Sequence, residues 1–185
     1  MTLSWPSHPL TLAEWEALPE SDEFRLEMSE GMLVMAAKPV SRHQRANARL
    51  AAGLDDALPH ELIPLVDVEV LLEAVPLTIR APDVIVTRTA LYEQNPPRYS
   101  ASDVLLAVEI LSDGTRRVDR VLKFSEYADA GIPQYWVVDL ANPTVLTAYV
   151  LVDGDYDLAG EHRGQVTTEV SGVPVTLDLD RLTAR

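Results

Sequence analysis

Apolar and polar side chains alternate along several short stretches of the chain, and this alternation predicts strands. Residues 24–28 and 32–36 flank the turn Ser29-Glu30-Gly31, which predicts a β-hairpin whose glycine takes a left-handed conformation. Residues 65–72 alternate between apolar and acidic side chains, as in one strand with a single buried face. Residues 83–86 open with an acid, continue with apolar side chains, and predict another short strand.

The run Val104–Leu111 is apolar at every position except Glu109. Such a run is typical of a central strand that is buried on both faces. An unpaired carboxylate there would be very costly, so Glu109 needs a basic partner, a proton or a metal ion. A salt bridge to Arg116 or Arg120, or a strand end open to solvent, would also satisfy it, and this residue alone leaves the choice open.

Apolar residues at helical spacing predict the helices. The segment Thr11–Glu14 has the pattern of a capping box that opens a short helix, and Ser41–Gln44 repeats it before a helix over 42–58. In the second helix, His43 falls on the apolar stripe. Basic side chains form a separate stripe: Arg42, Arg45 and Arg49.

A further amphipathic helix is predicted over residues 115–130. Its apolar face comprises Val118, Val121, Leu122 and Ala128. Its opposite, polar face comprises Arg116, Arg120, Lys123 and Tyr127. Such a face is either an ordinary solvated surface or a basic rim that faces phosphate groups, and helical geometry does not separate the two.

Residues 134–140 and 144–151 predict two more strands, and residues 88–101 a loop or short helix. Short apolar alternations over 153–185 predict edge strands. Together these elements indicate an α/β fold with a mixed central β-sheet flanked by helices, an N-terminal β-hairpin and C-terminal edge strands. The length predicts a single domain over residues 1–185.

Composition narrows the range of functions. The net charge of −14 argues against non-specific coating of nucleic acid, because Lys and Arg drive such binding. Basic residues are nevertheless concentrated in residues 38–49 and 111–127. The absence of cysteine excludes disulfides, thiolate nucleophiles and sulfur-based zinc sites. No apolar run approaches the length of a membrane span and no signal peptide is visible, so we expect a cytoplasmic protein without a membrane partner.

Three acidic residues occupy predicted strand positions: Glu27 in the hairpin, Asp83 after Pro82, and Glu109 in the central run. Carboxylate oxygens in this number suit a hard cation such as Mg²⁺ or Mn²⁺. Lys123, on the helix after the third acid, could orient a water or stabilise charge on a phosphoryl group. Taken alone, Asp83 could equally be an ordinary turn residue that opens a strand.

Five segments carry a family resemblance: FRLEMSEG (24–31), SRHQ (41–44), APDVIV (81–86), VEILS (108–112) and DRVLKFSEYADAGIPQYWVVD (119–139). Together they resemble the Uma-type family of restriction-endonuclease-like proteins, a branch of the PD-(D/E)XK nuclease superfamily. The resemblance covers residues 11–150 in order, and the last segment is the most specific. Residues 151–185 are interpreted as a C-terminal strand extension.

The resemblance implies a metal-dependent active site. Asp83 would be the central metal ligand and Glu109 the second, and Ile110 would add its backbone carbonyl. Glu27 would complete the acidic set. Mg²⁺, with Mn²⁺ as an alternative, would be the cofactor.

The lysine of this site departs from the superfamily's usual spacing. It normally stands two residues after the second acid, where this chain has Leu111. In the Uma-type family the lysine lies on the following helix, and Lys123 matches that position. The chain also has Met32 where the family usually has an acid after the hairpin glycine, and Leu111-Ser112-Asp113 where Ser-Pro-Ser is usual. Neither difference touches the four core residues.

The resemblance also implies contacts to a substrate. His43 and Gln44 match a His-Gln pair of the family, in a first helical turn whose N–H groups favour an anion. Packing of His43 into the core is the alternative. Further candidates for holding a nucleic-acid backbone are Arg42, Arg45, Arg49, Arg116, Arg120 and Tyr127. Many members of the superfamily dimerise to cut both strands, so a homodimer is expected.

The implied function is hydrolysis of phosphodiester bonds in nucleic acid, DNA more than RNA, by a metal-dependent endonuclease in which Lys123 positions the attacking water. One alternative is a catalytically inactive module that keeps the nuclease fold and only binds, which the charge of −14 favours. Another is a phosphoesterase that acts on RNA or on a small phosphodiester. The sequence contains no phosphate-binding loop, serine-hydrolase elbow or dinucleotide-binding fingerprint.

Overall fold

The computed structural model describes residues 8–19, 24–111 and 119–184. Its first half contains helix α1 (Leu12–Glu16), strands β1 (Phe24–Ser29) and β2 (Met32–Ala37), helix α2 (Ser41–Ala57), strands β3 (Leu62–Val66), β4 (Val70–Ala74), β5 (Leu77–Arg80) and β6 (Val84–Arg88), helix α3 (Thr89–Tyr92), strand β7 (Tyr99–Ser100) and a 3₁₀ turn (Ala101–Asp103). Its second half contains strand β8 (Leu106–Leu111), a π-helical turn (Asp119–Lys123), helix α4 (Phe124–Asp129), strands β9 (Gln134–Asp139), β10 (Val145–Val152), β11 (Asp155–Arg163), β12 (Gln165–Val170) and β13 (Val173–Asp178), and a 3₁₀ turn (Leu179–Leu182).

A six-stranded sheet in the order β11-β10-β9-β8-β6-β3 forms the centre of the fold. Strands β8 and β9 are parallel and the other neighbours are antiparallel, so the sheet is mixed, as the sequence predicted. Every residue of β8 is buried, which confirms the central strand predicted from the apolar run around Glu109. The chain crosses from β8 to the parallel strand β9 through α4.

The two faces of the central sheet are covered by different elements. On one face, Val108 and Ile110 of β8 pack with α2 and the β12-β13 hairpin. On the other face, Ala107 and Leu111 pack with α4 and several tyrosines. Because side chains alternate along a strand, Glu109 points to the α4 face.

A five-stranded sheet in the order β2-β1-β5-β4-β7 carries the N-terminal hairpin. Strands β1 and β2 are antiparallel and are joined at Gly31, whose φ of 78° confirms the predicted hairpin and its glycine. A Cβ atom at Gly31 would also collide with Pro9, so a side chain is excluded there for two reasons. Met28 of β1 pairs with Ile79 of β5, which fixes β1 beside the strand that precedes Asp83.

The stretch 65–72 is not one strand, and that prediction is wrong. Strand β3 ends at Val66 in the six-stranded sheet, and β4 begins at Val70 in the five-stranded sheet. Between them Asp67 has a positive φ of 56°, which turns the chain from one sheet to the other. The regular alternation therefore spans two strands that belong to different sheets.

In the described part of the helix before β9, two residues predicted on the polar face are buried and two predicted on the apolar face are exposed, whereas Ala128 is buried as predicted. Val121 is 70% exposed and Leu122 41% exposed, whereas Lys123 and Tyr127 are buried. The reason is the π-helical turn Asp119–Lys123 at its start. Such a turn holds more residues than an α-helical turn, so the side chains around it do not follow a regular helical wheel.

Of the two predicted capping boxes, only the first forms. The side chain of Thr11 accepts a hydrogen bond from the amide of Glu14, and the Glu14 carboxylate accepts one from the amide of Thr11. The second prediction is wrong, because α2 begins at Ser41 with Val40 at its N-cap and without a side-chain hydrogen bond.

The C-terminal strands match the prediction in part. Strand β11 is an edge strand of the central sheet, whereas β12 and β13 form a separate two-stranded sheet that packs against α2. Within the described ranges, no helix is both long and apolar enough to cross a membrane.

Candidate active site

The carboxylate of Glu109 is held by two side chains from the segment that follows it. Its Oε1 atom accepts hydrogen bonds from Lys123 Nζ at 2.9 Å and from the Tyr127 hydroxyl at 2.7 Å. The buried acid in the central strand therefore has a basic partner, Lys123, one turn before Tyr127. Because both partners are themselves buried, the contact lies inside the fold and not at a strand end open to solvent.

Glu27 reaches the same lysine from the other sheet. Its Oε1 atom lies 3.4 Å from Lys123 Nζ and accepts a hydrogen bond from the Ala81 amide at 3.2 Å. Its Oε2 atom accepts a hydrogen bond from Arg80 at 3.0 Å. Lys123 thus lies between one carboxylate of the five-stranded sheet and one of the six-stranded sheet.

Asp83 is brought to Glu109 by strand register. Val84 pairs with Val108 in the antiparallel strands β6 and β8, so the next step of this register places Asp83 across from Glu109. The Oδ2 atom of Asp83 accepts a hydrogen bond from the Ile110 amide at 2.7 Å. The acid that opens β6 is therefore fixed to the peptide that follows the acid of β8.

His43 of α2 contacts both Asp83 and the backbone of Ile110. Its Nε2 atom lies 3.1 Å from Asp83 Oδ2 and 2.9 Å from the carbonyl oxygen of Ile110. The ring is buried on the apolar side of α2, as its position on the predicted stripe indicated. The residue next to it, Gln44, is exposed.

Three charged residues around the site were missed in the sequence. Arg80 is buried and donates to Glu27 and, through Nε and Nη2, to Glu126 at 2.6 and 2.7 Å. Arg25 lies 3.3 Å from Asp83 Oδ1 and also contacts Asp67. One signal was available, because strand alternation places Arg25, Glu27 and Ser29 on a single face of β1.

Burial and neighbouring charges shift the pKa values of Glu109 and Glu27 in opposite directions. Burial raises the pKa of Glu109 to about 7; Lys123 opposes this rise, and the nearby carboxylates of Asp83 and Glu27 add to it. Burial also acts on Glu27, but the charges of Lys123, Arg80 and Arg25 outweigh it and lower the pKa of that carboxyl. The site therefore combines ionised acids with one carboxyl that titrates near neutrality.

The pair of Asp83 and His43 follows the same physics. Burial opposes ionisation of both groups, yet their mutual hydrogen bond and the Ile110 peptide lower the pKa of Asp83 and raise the pKa of His43. The charged forms of both side chains are thus favoured by each other.

The arginines of α2 are directed to the C-terminal part of the chain. Arg42 donates to the Leu140 carbonyl at 2.7 Å, and Arg45 donates to the Ala184 carbonyl at 2.9 and 3.2 Å. The guanidinium of Arg49 donates to the carbonyls of Arg181 and Ala184. The contacts of Arg45 and Arg49 attach the end of the chain to α2, and that of Arg42 attaches the end of β9.

The other predicted substrate contacts have different outcomes. Tyr127 is fully buried and its hydroxyl faces Glu109. Arg116 and the segment 112–118 lie outside the described residues, and the same holds for the side chain of Arg120.

The oxygen atoms of the site are of the type that binds a hard divalent cation, although its carboxylates are paired with cationic side chains of the protein. In the described ranges, no group of three or more His, Asp and Glu side chains is arranged to hold a metal ion. The carboxylates of Asp83 and Glu109 and the carbonyl of Ile110 are nevertheless oxygen donors of the kind that Mg²⁺ prefers. Burial raises the pKa of Glu109, Asp83 and Glu27 add to this rise, and a bound cation would oppose it.

The fold is that of a nuclease-like α/β protein. The chain is similar to the crystal structure of "a putative nuclease belonging to DUF820 from Anabaena variabilis ATCC 29413", with a TM-score of 0.73 and 17% sequence identity. The similarity covers 95% of this chain and 98% of that chain. It confirms the predicted fold class.

The chain belongs to the Uma2 family, described as "Putative restriction endonuclease", whose model matches residues 12–182. This confirms the resemblance drawn from the sequence segments, and the matched range extends beyond residue 150 into the last strands. No curated protein matches the sequence. Membership of this family indicates an enzyme that acts on nucleic acid.

Proposed function

We propose that this protein is a metal-dependent endonuclease that hydrolyses phosphodiester bonds in nucleic acid, with Mg²⁺ as its cofactor and Mn²⁺ as a substitute. One observation carries the proposal. Lys123 Nζ lies between the carboxylates of Glu27 and Glu109, which come from different sheets, while strand register brings Asp83 to the same place. Four residues that are distant in sequence thus meet in the interior of the fold.

Asp83 and Glu109, with the carbonyl of Ile110, would hold the ion, and Glu27 would complete the acidic set. When bound, such an ion supplies Lewis-acid stabilisation of the charge that develops on the phosphoryl group. These donors are hard oxygens, which matches the preference of Mg²⁺ and Mn²⁺.

Lys123 has the place and the charge to act on the attacking water. Two carboxylates fix its ammonium group beside the acids, so its direction is set before substrate arrives. The Tyr127 hydroxyl holds the same oxygen of Glu109 that Lys123 holds. Lys123 would orient the water and stabilise negative charge, and Tyr127 would keep Glu109 in place.

The substrate proposed is DNA rather than RNA, and a homodimer would allow both strands to be cut. The overall charge of −14 means that capture depends on local basic residues. The run 111–127 carries such residues close to Lys123 in sequence, including Arg116 and Arg120, and they are proposed as phosphate contacts.

A second candidate is binding without cleavage. Two observations favour it: the charge of −14, and the engagement of Glu27, Asp83 and Glu109 by cationic groups of the protein itself. Such a module would keep the fold and the ion pairs but would not hydrolyse its ligand.

Cleavage of supercoiled plasmid, single-stranded DNA and RNA, with Mg²⁺, with Mn²⁺ and with EDTA, separates the two candidates. The variant Asp83→Asn keeps the shape of the side chain and removes its charge, and Asp55→Asn is a matched control on the exposed side of α2. The proposal requires metal-dependent cleavage that is lost in Asp83→Asn and kept in Asp55→Asn. Absence of cleavage under every condition, with nucleic acid still bound, would favour the second candidate.

A further inference from the structure

The imidazole of His43 faces two oxygen atoms that belong to the proposed metal site. Its Nε2 atom lies 3.1 Å from Asp83 Oδ2 and 2.9 Å from the Ile110 carbonyl oxygen. A ring nitrogen that faces two acceptors carries a hydrogen, and this is true of both the neutral Nε2–H form and the charged form. His43 is thus a hydrogen-bond donor to both oxygens, whichever form it takes.

The Oδ2 atom of Asp83 has little capacity left for another partner. It also accepts the Ile110 amide at 2.7 Å, and a carboxylate oxygen offers about two lone pairs. The Ile110 amide belongs to the buried strand β8, between β6 and β9, so it cannot turn away without disrupting the central sheet. The contact that can be released is the one made by the side chain of His43.

The other oxygen of Asp83 does not offer the same combination. Its Oδ1 atom faces Arg25 at 3.3 Å, and Arg25 is itself tied to Asp67 at 2.7 Å and to the Ala81 carbonyl. The Ile110 carbonyl oxygen contacts the same His43 nitrogen that contacts Asp83 Oδ2. An ion that used both Asp83 and Ile110 would therefore meet His43 first.

The ring of His43 is held at one nitrogen only. Its Nδ1 atom is buried and has no hydrogen-bond partner among the described residues. Metal-bound histidines usually have the second nitrogen fixed by a carboxylate, a carbonyl or water. Here the contacts at Nε2 are the polar contacts that resist rotation of the ring, and a competing cation would remove their acceptors.

We propose that His43 is a resident competitor for the metal position: its Nε2–H occupies Asp83 Oδ2 and the Ile110 carbonyl in the metal-free protein, and a divalent ion binds as His43 withdraws. This inference rests on the proposed metal-dependent function. His43 would then lower the affinity for the metal ion by competing for its ligands. It would be a positioning residue and not itself a metal ligand.

Calorimetric titration with Mn²⁺, without nucleic acid, tests the inference on four forms of the full chain. They are the wild type, His43→Leu, Asp83→Asn and the control His60→Leu, whose side chain is 92% exposed in the wild type. We expect His43→Leu to bind Mn²⁺ about tenfold more tightly, because one hydrogen bond to a charged group no longer competes. Asp83→Asn should lose binding, and His60→Leu should match the wild type.

The outcomes separate the two levels of the proposal. Equal or weaker binding by His43→Leu, with binding by the wild type that is lost in Asp83→Asn, would overturn the inference and leave the proposed function standing. Absence of binding by the wild type and by His43→Leu would overturn both. Binding by His43→Leu alone would support the inference in its strongest form.

A measurement on the wild type covers the case in which His43→Leu does not fold. In ¹⁵N spectra of the four imidazole rings, the Nε2 signal of His43 should show a protected hydrogen without metal. Saturating Mg²⁺ should remove that protection and shift the signal, while the other three histidines remain unchanged. A His43 signal that stays the same when Mg²⁺ is bound would contradict the inference.

Discussion

Lys123 and Glu109 form a buried ion pair, with Nζ and Oε1 2.9 Å apart, inside a helix face that regular helical spacing assigns to solvent. Loss of Lys123 leaves buried charge without its partner: that of Glu27 and, above about pH 7, that of Glu109. We expect Lys123→Met to lower the free energy of unfolding by about 3 kcal/mol and to reduce cleavage at least 100-fold, because in the proposed mechanism Lys123 orients the attacking water.

Urea unfolding and plasmid cleavage measure the two effects. The control is Lys38→Met, which changes the only other lysine of the chain, at an exposed position. Cleavage at the wild-type rate by Lys123→Met would remove this residue from the proposed mechanism.

Tyr127→Phe deletes one buried hydroxyl and nothing else. That hydroxyl donates to Glu109 at 2.7 Å, and above about pH 7, where Glu109 is ionised, a hydrogen bond to this charged acceptor contributes about 1.5–3 kcal/mol. We expect a loss of stability in this range and weaker binding of Mn²⁺, because Glu109 is less well fixed. Thermal unfolding with and without Mn²⁺ reports both, and Tyr92→Phe, at an exposed position, should change neither.

Arg80 links the acid of β1 to α4, through Glu27 at 3.0 Å and Glu126 at 2.6 Å. Replacement by methionine would leave two carboxylates in a buried place without their cation. We expect Arg80→Met to lower the free energy of unfolding by about 3–5 kcal/mol.

The exposed arginine at the end of β6 supplies the comparison for Arg80. Arg88→Met should change stability by less than about 0.5 kcal/mol in the same urea experiment. The role assigned to Arg80 would be wrong if the two variants were equally stable. Adding Glu126→Gln to Arg80→Met should restore part of the loss, since it removes one of the stranded charges.

The raised pKa of Glu109 gives the stability of the protein a pH dependence of known sign. In the unfolded chain Glu109 ionises near its ordinary value of 4.5, whereas in the folded protein it keeps its proton to about pH 7. The unfolded state thus binds fewer protons between these values, so the contribution of Glu109 is fully present below pH 4.5 and is lost as pH rises to 7.

The comparison that isolates this contribution is with Glu109→Gln. The free energy of unfolding of the wild type minus that of the variant should fall by about 3 kcal/mol at most between pH 4.5 and 7, and stay constant above. A difference that does not fall over this window would show that Glu109 is already ionised in the folded protein.

The arginines of α2 offer a test of their role. Arg45 and Arg49 donate to carbonyls of the last turn, so we expect Arg45→Gln with Arg49→Gln to destabilise the protein by about 1–2 kcal/mol. The salt dependence of DNA binding should stay unchanged. If instead both residues neutralise phosphates, the slope of log affinity against log salt should drop by about 2.

The sequence pattern predicted those parts of the fold in which local periodicity and packing agree. The hairpin around Gly31 and the buried strand around Glu109 are examples, since each has a turn or burial pattern contained within a few residues. The family was also recognisable, because its segments keep their order along the chain.

Two kinds of feature could not be predicted. The π-helical turn before Phe124 shifts the phase of the helix, and Asp67 breaks an alternation that is regular in sequence. In both cases the local backbone conformation decides which side chains are buried, and the pattern of apolar and polar residues does not reveal it. The link between Arg80 and Glu126 depends on the approach of α4 to the five-stranded sheet, which no short-range pattern encodes.

The position of Lys123 between two sheets determines when the proposed active site is completed during synthesis and folding. Glu27 belongs to the five-stranded sheet and Glu109 to the six-stranded sheet. Lys123, which contacts both carboxylates, follows them in the sequence and is therefore translated later. A fragment that ends before Lys123, or a molecule in which only one of the two sheets has formed, lacks the complete set of groups. Under the proposed function, incomplete copies of the chain would therefore be inactive, because the groups of the site have not yet met.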